Sequence, residues 1–391
     1  MAARASVARL ALPVLLALAG LGSGLGPRPA HAQPMPPTLV LAPATAAVPT
    51  TAPAVVTAAA PSAFASATPT ATAPAALSPA PGADPDPDAI DPAMATRILA
   101  LDPERLTARD VRDVLAAAPA PRLILLQGSL AFVTMEPFAD YLVAMGYPER
   151  RIRNPRDGAL SYGSFGSSET LAGTLAWYYE RERMMPLLIG HSQGGMLAIR
   201  TLHELAGAFS ESLPVVDPRS GEALPRTTIV DPHTGIERPV VGLTLPYATA
   251  IATGKLPRLL LGQWSMIPRL RRIPDTAAEF TGFSFDFDPI AGEFGGAEPY
   301  VATGSARVRN VTLPSAYSHI DLPNARHLAA NPVTRAWIDA YVPGTSAPMP
   351  SDSGVDTTNL LHAADIWYSV RRAWCLAAQQ LVREHLARAP Q

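Results

Sequence analysis

Apolar and polar positions follow two regimes along this chain. From Gln33 to about Pro87 no helical or strand period survives the prolines. From Asp91 onward, short continuous apolar runs alternate with amphipathic stretches. Arg122-Leu-Ile-Leu-Leu126 and Pro186-Leu-Leu-Ile189 are too short for helices and long enough for buried parallel strands. Further strands are expected at Arg151–Arg153, Val240–Leu245, Phe280–Phe287 and Val308–Leu313. Helical spacing predicts helices from Thr107 to about Ala118, Glu136 to Met145, Ser168 to Glu182, Met196 onward, Val333 to Tyr341 and Ala363 to Ala387. Asp91-Pro92 reads as an N-cap followed by proline, and Thr107 with Asp110 as a capping box. Strands alternating with helices predict an α/β fold, a mostly parallel sheet covered by helices on both faces.

Two stretches interrupt the alternation. Glu211–Pro239 is rich in Pro, Asp, Gly and Thr, which suits an excursion or short hairpin. Ile251–Thr276 carries Leu256, Leu259, Leu260, Leu261, Trp264, Met266 and Ile267. It follows an expected strand end, where ligand sites of such sheets gather, so it reads either as a cap over the site or as an ordinary packing helix. Insertions are therefore expected at about 211–276, and a C-terminal helical extension at about 352–391. About 300 residues from Asp91 suit one domain.

Residues 1–32 have the form of a secretory signal peptide. Arg4 and Arg9 precede an apolar stretch from Leu10 to Leu25, and Ala30-His31-Ala32 is a small-x-small cleavage site. The stretch is short for a span of roughly 20 apolar residues. No other segment is apolar enough to cross a bilayer, so no stable membrane span is expected after cleavage. Residues 33–90 are nearly all Ala, Pro, Thr, Val and Ser, a composition that cannot bury enough surface to offset ordering entropy. They are expected to form a disordered linker. A secreted or periplasmic location follows from the leader.

The chemistry centres on Gly190-His-Ser-Gln-Gly-Gly195, set between the apolar run and the next helix. A Gly-x-Ser-x-Gly motif is common by chance, but strand–turn–helix is the context of a nucleophile elbow. There the serine is exposed at a helix N-terminus whose dipole favours developing negative charge. Ser192 is thus the expected nucleophile. It needs a base, oriented by a carboxylate, and this architecture puts them in the chain order Ser, acid, His. Of the downstream histidines, His319 lies in the loop directly after the Val308–Leu313 strand, whereas His327 opens the next helix. His319 is the expected base. Asp288, at the end of the aromatic alternation Phe283–Phe287, is the expected acid, with Asp286 one pleat inside as the alternative. Backbone N–H groups of Gln193 and Ser129 are the expected oxyanion donors, Gly128 letting the loop approach.

Leu-Leu-Gln-Gly-Ser at 125–129, the 190–195 motif, Asp288-Pro-Ile and Ser-His-Ile-Asp-Leu at 318–322 together resemble the α/β-hydrolase fold superfamily over about Leu123 to Tyr341. The His-x-Asp-Leu form is similar to the histidine loop of esterases and lipases. Gln127 departs from the histidine common there. The resemblance implies a Ser192–His319–Asp288 triad working through an acyl-enzyme on a small-molecule or lipid-like carboxylic ester, without a cofactor. Acyl transfer, polyester depolymerisation, amide cleavage and a non-catalytic binder on the same fold are the alternatives.

Composition narrows the rest. A formal net charge of −2 without a basic stripe argues against nucleic acid. One cysteine, Cys375, allows no intramolecular disulfide. No His-x-x-x-His or paired-Cys spacing suggests a metal. Asn310-Val-Thr312 is a glycosylation sequon, but falls in a strand expected to be buried.

Overall fold

The computed structural model describes residues 91–314, 317–345 and 348–388; the expected signal peptide and linker lie outside them. Helix α1 (Pro92–Leu99) is capped by Asp91, whose carboxylate accepts the Met94 N–H at 3.1 Å. Helix α2 (Ala108–Asp113) is opened by the Thr107–Asp110 capping box. Next come β1 (Leu123–Leu126), α3 (Glu136–Met145), α4 (Ser168–Glu182), β2 (Leu187–His191) and α5 (Gln193–Leu205). Strands β3 (Thr228–Val230) and β4 (Glu237–Pro239) form an antiparallel hairpin in the expected excursion. They are followed by β5 (Ala248–Ile251), the short α6 (Leu256–Leu260), β6 (Arg272–Ile273) and β7 (Glu279–Ser284). After these lie β8 (Phe287–Asp288), β9 (Glu293–Phe294), β10 (Val301–Ala302) and β11 (Arg307–Thr312). Helices α7 (Arg326–Ala330), α8 (Pro332–Ala340) and α9 (Leu360–Arg388) close the described chain.

The central sheet has the order β1-β2-β5-β7-β11, and every pairing is parallel. Strands β1, β2 and β5 are buried along their whole length because both faces are covered. Leu123, Leu125, Leu187 and Ile189 share a core with Phe138 and Leu142 of α3 and Trp367 and Trp374 of α9. Their alternate neighbours Ile124, Leu126 and Leu188 share another with Leu175 of α4 and Ile199 and Leu202 of α5. The period of two along a strand feeds both cores at once.

Four expectations need correction. Arg151–Arg153 is not a strand: Glu149–Arg151 is a 3₁₀ turn, and the apparent alternation arises because Ile152 is buried beside Arg151, which pairs with Glu182 at 2.6 Å. Val240, Leu243 and Leu245 are buried, but Val240–Leu245 is not a sheet strand; β5 begins at Ala248 instead. The Phe280–Phe287 strand stops at Ser284 and resumes as β8, hairpinned with β9, so Asp288 sits in a short strand rather than a free loop. Finally, β11 is an edge strand and not a buried one. Asn310 is exposed, its side chain spent on the Tyr300 backbone, donating to the carbonyl at 2.9 Å and accepting from the N–H at 2.7 Å.

Candidate functional site

All the residues singled out in sequence lie at or beyond the carboxyl ends of β1, β2, β7 and β11, the end of a parallel sheet where ligand sites form. Ser192 follows β2 and starts α5 with φ 53° and ψ −112°. A side chain rarely adopts such a backbone, and the surroundings hold it there. The Ser192 N–H donates to the Ile251 carbonyl at 2.7 Å, and its carbonyl accepts from Thr253 Oγ1 at 2.9 Å. The turn is also sterically closed. A Cβ on Gly190 would stand 2.4 Å from the Gly194 carbonyl oxygen, and one on Gly194 would stand 2.2 Å from that of Leu126.

Asp288 and His319 are brought together. Nδ1–H of His319 donates to Asp288 Oδ2 at 2.7 Å, and both residues are buried. The other carboxylate oxygen accepts from the Ile290 and Ala291 N–H groups at 3.1 and 3.0 Å. Donation from Nδ1–H fixes the tautomer and leaves Nε2 of the imidazole with a lone pair. Asp286 is exposed and takes no part in this pairing. His327 points elsewhere, 2.8 Å from the Asp356 carbonyl oxygen. Among the described residues the Ser192 hydroxyl is hydrogen-bonded to nothing, His319 included; such contacts commonly tighten only with substrate present.

The oxyanion expectation concerns two N–H groups. Gln193 and Ser129 both have backbone N–H groups free of hydrogen bonds among the described residues. The loop after β1 abuts the serine, since a Cβ on Gly128 would lie 3.4 Å from Ser192 Cβ and 3.1 Å from His191 Nδ1. Ser164 Oγ clamps it by donating to the Gly128 carbonyl at 3.1 Å. Gln127 is held in turn: its N–H donates to Tyr162 at 3.0 Å and its side-chain oxygen accepts from Ser161 at 2.9 Å.

Two site residues carry no sequence signal of their own. His191, buried beside Ser192, donates Nε2–H to the His319 carbonyl at 2.9 Å, so the β2 turn and the histidine loop are directly tied. Burial pushes its pKa well below the usual histidine range, with the neighbouring His319 adding to the effect. It is therefore neutral at pH 7. Arg258 of α6 is the second; its Nη1 donates to the side-chain oxygen of Gln193 and, at 2.6 Å, to that of Gln263. Only the approach of the histidine loop to the elbow reveals the first role, and that of α6 the second.

Part of the expected cap is surface rather than core. Leu260 is 51% and Trp264 64% exposed, with Phe287 and Phe294 of the β8–β9 hairpin also exposed, whereas Met266 is buried. Among the described residues no group of three or more His, Cys, Asp or Glu could hold a metal ion, and no helix is long and apolar enough to cross a membrane.

No protein-family model matches the chain. No curated protein matches it either. Among solved structures it is similar to RedJ with a PEG molecule bound in its active site, at 17% identity and a TM-score of 0.24. That match covers 54% of this chain and 90% of the other. So distant a likeness leaves the class defined by the chain's own architecture: an α/β protein with a five-stranded parallel sheet flanked by helices.

Proposed function

We propose that this protein is an exported serine hydrolase of α/β-hydrolase architecture that cleaves carboxylic esters. The observation carrying the reading is a convergence at one sheet end. A serine with a positive φ between strand and helix lies next to His191, which is bonded to the carbonyl of a histidine already oriented by a buried carboxylate. In the proposed reaction Ser192 Oγ attacks the ester carbonyl while His319 Nε2 takes its proton. Asp288 holds the ring and stabilises the imidazolium that forms. Gln193 and Ser129 N–H groups receive the oxyanion. His319 then protonates the leaving alcohol, and water, deprotonated by the same nitrogen, releases the acid. Export rests on the amino-terminal pattern of residues 1–32.

The test is labelling of the full chain with a fluorophosphonate and turnover of p-nitrophenyl esters of graded chain length. Both are expected for the wild type and neither for Ser192→Ala. A folded wild-type protein that is neither labelled nor active would overturn the reading.

A further inference from the structure

Arg258 is a cation whose interior surroundings do not account for it. It is 1% exposed, among the largest fully buried side chains of the described residues. A guanidinium so placed normally meets a carboxylate, because an unpaired buried charge loses its hydration without return. Two other buried arginines follow that rule, whereas Arg371 is held by the backbone carbonyls of Asp339 at 3.2 Å and Tyr341 at 3.5 Å. Arg271 pairs with Glu293 at 2.8 Å and covers the Tyr300 ring, and Arg151 pairs with Glu182 at 2.6 Å. Among the described residues Arg258 hydrogen-bonds only two neutral amide oxygens, those of Gln193 and Gln263, and both lie on Nη1. Among the described residues Nε and Nη2 have no partner, Nε being fully buried. Burial lowers its pKa to about 10, so the charge persists at neutral pH.

The free nitrogens are informative as a pair. Nε and Nη2 form one edge of the guanidinium, the fork that donates to both oxygens of a carboxylate. The engaged nitrogen, in contrast, fixes the group against Gln193, the residue after Ser192 and a proposed oxyanion donor. Charge, fork and placement beside the reacting centre coincide.

We propose that Arg258 is a specificity-determining residue that receives a substrate carboxylate, so that the preferred esters are half-esters of dicarboxylic acids. This rests on the ester-hydrolase reading above, and the experiment separates the two. The wild type, Arg258→Gln and Arg258→Lys are compared on two esters of similar length, mono-p-nitrophenyl glutarate and p-nitrophenyl pentanoate. Fluorophosphonate labelling reports the nucleophile, and calorimetry reports binding of free glutarate. The wild type is expected to favour the charged ester in kcat/KM by about 10-fold or more, the scale of a charge-assisted hydrogen bond. Arg258→Gln is expected to lose that ratio and its glutarate binding, and Arg258→Lys to keep part of both. Equal ratios in labelled wild type and labelled Arg258→Gln would overturn the proposal and leave the hydrolase intact. A wild type that does not prefer the charged ester would overturn it even if Arg258→Gln failed to fold. If the wild type is neither labelled nor active, glutarate binding that Arg258→Gln abolishes would still support the carboxylate site, and its absence would remove both readings.

Discussion

Asp288 and Asp286 differ by two positions in sequence and by their whole environment in space. Asp288 is 1% exposed, with His319 on one oxygen and two backbone N–H groups on the other; Asp286 faces solvent. Replacing Asp288 with Asn keeps the shape but removes the charge and lets the imidazole adopt the wrong tautomer. Asp288→Asn is expected to lower kcat for a p-nitrophenyl ester by on the order of a thousand-fold or more, while Asp286→Asn changes it less than about 3-fold. Steady-state kinetics on the two variants checks this; similar losses in both would remove Asp288 from its proposed role. Sequence made Asp288 readable only through chain order and an aromatic alternation. Ser192 was readable more directly, because its motif is local and flanked by two unmistakable periods. His191 and Arg258 were not, since a lone histidine in a strand and a lone arginine in an apolar stretch acquire meaning only from what they face.

At the level of elements, the elbow works by close approach of strand and helix. The packing of α5 on the sheet is tight enough that a Cβ on Gly195 would lie 3.0 Å from Ala250 Cβ and 2.1 Å from Thr253 Oγ1. That is why β5 is built of Ala248, Thr249 and Ala250, small residues whose weak strand signature hid it in sequence. The larger residues of Val240–Leu245 mimicked a strand while packing in the core beneath α5. The same argument applies at Gly194, where an added methyl would meet the Leu126 backbone at 2.2 Å. Backbone cannot swing aside as a flexible side chain can, so Gly194→Ala is expected to cost roughly 2–3 kcal/mol and to slow fluorophosphonate labelling. Urea denaturation and labelling kinetics read the two effects; a variant as stable and reactive as the parent would refute the tight-elbow account. The β1, α4, β2 and α5 elements were legible because their periods agree with their burial. Arg151–Arg153 misled because one buried isoleucine between arginines imitates a strand whether or not it has a strand partner.

For the molecule as a whole, burial of neutral histidines sets a pH dependence. His362 of α9 is fully buried, donating Nε2–H to the Leu322 carbonyl at 2.9 Å, and burial lowers its pKa from 6.5 to about 4. The pKa values of His191 and His203 are lowered as well, also by burial. For each, the unfolded chain binds a proton more readily than the folded one, so stability rises with pH through this range. The contribution is fully present above about pH 6.5 and is lost as pH falls toward the folded pKa. For His362 the loss by pH 4 is roughly 3 kcal/mol. Unfolding free energies in urea are expected to fall between pH 7 and pH 4, and His362→Gln is expected to flatten that slope while lowering stability at pH 7. An unchanged slope in the variant would exclude His362 as a source.

The strand order gives the fold a direction in time. Because β1, β2, β5, β7 and β11 neighbour one another in the order in which they occur in the chain, each new strand can join the growing edge without wedging between two already paired. Ser192 gains the bonds that hold its backbone only when β5, the third strand, is in place; Asp288 follows the fourth strand and His319 follows β11. A nascent or partly unfolded molecule would therefore hold the proposed Ser192–His319–Asp288 arrangement incomplete until the last strand closes the sheet.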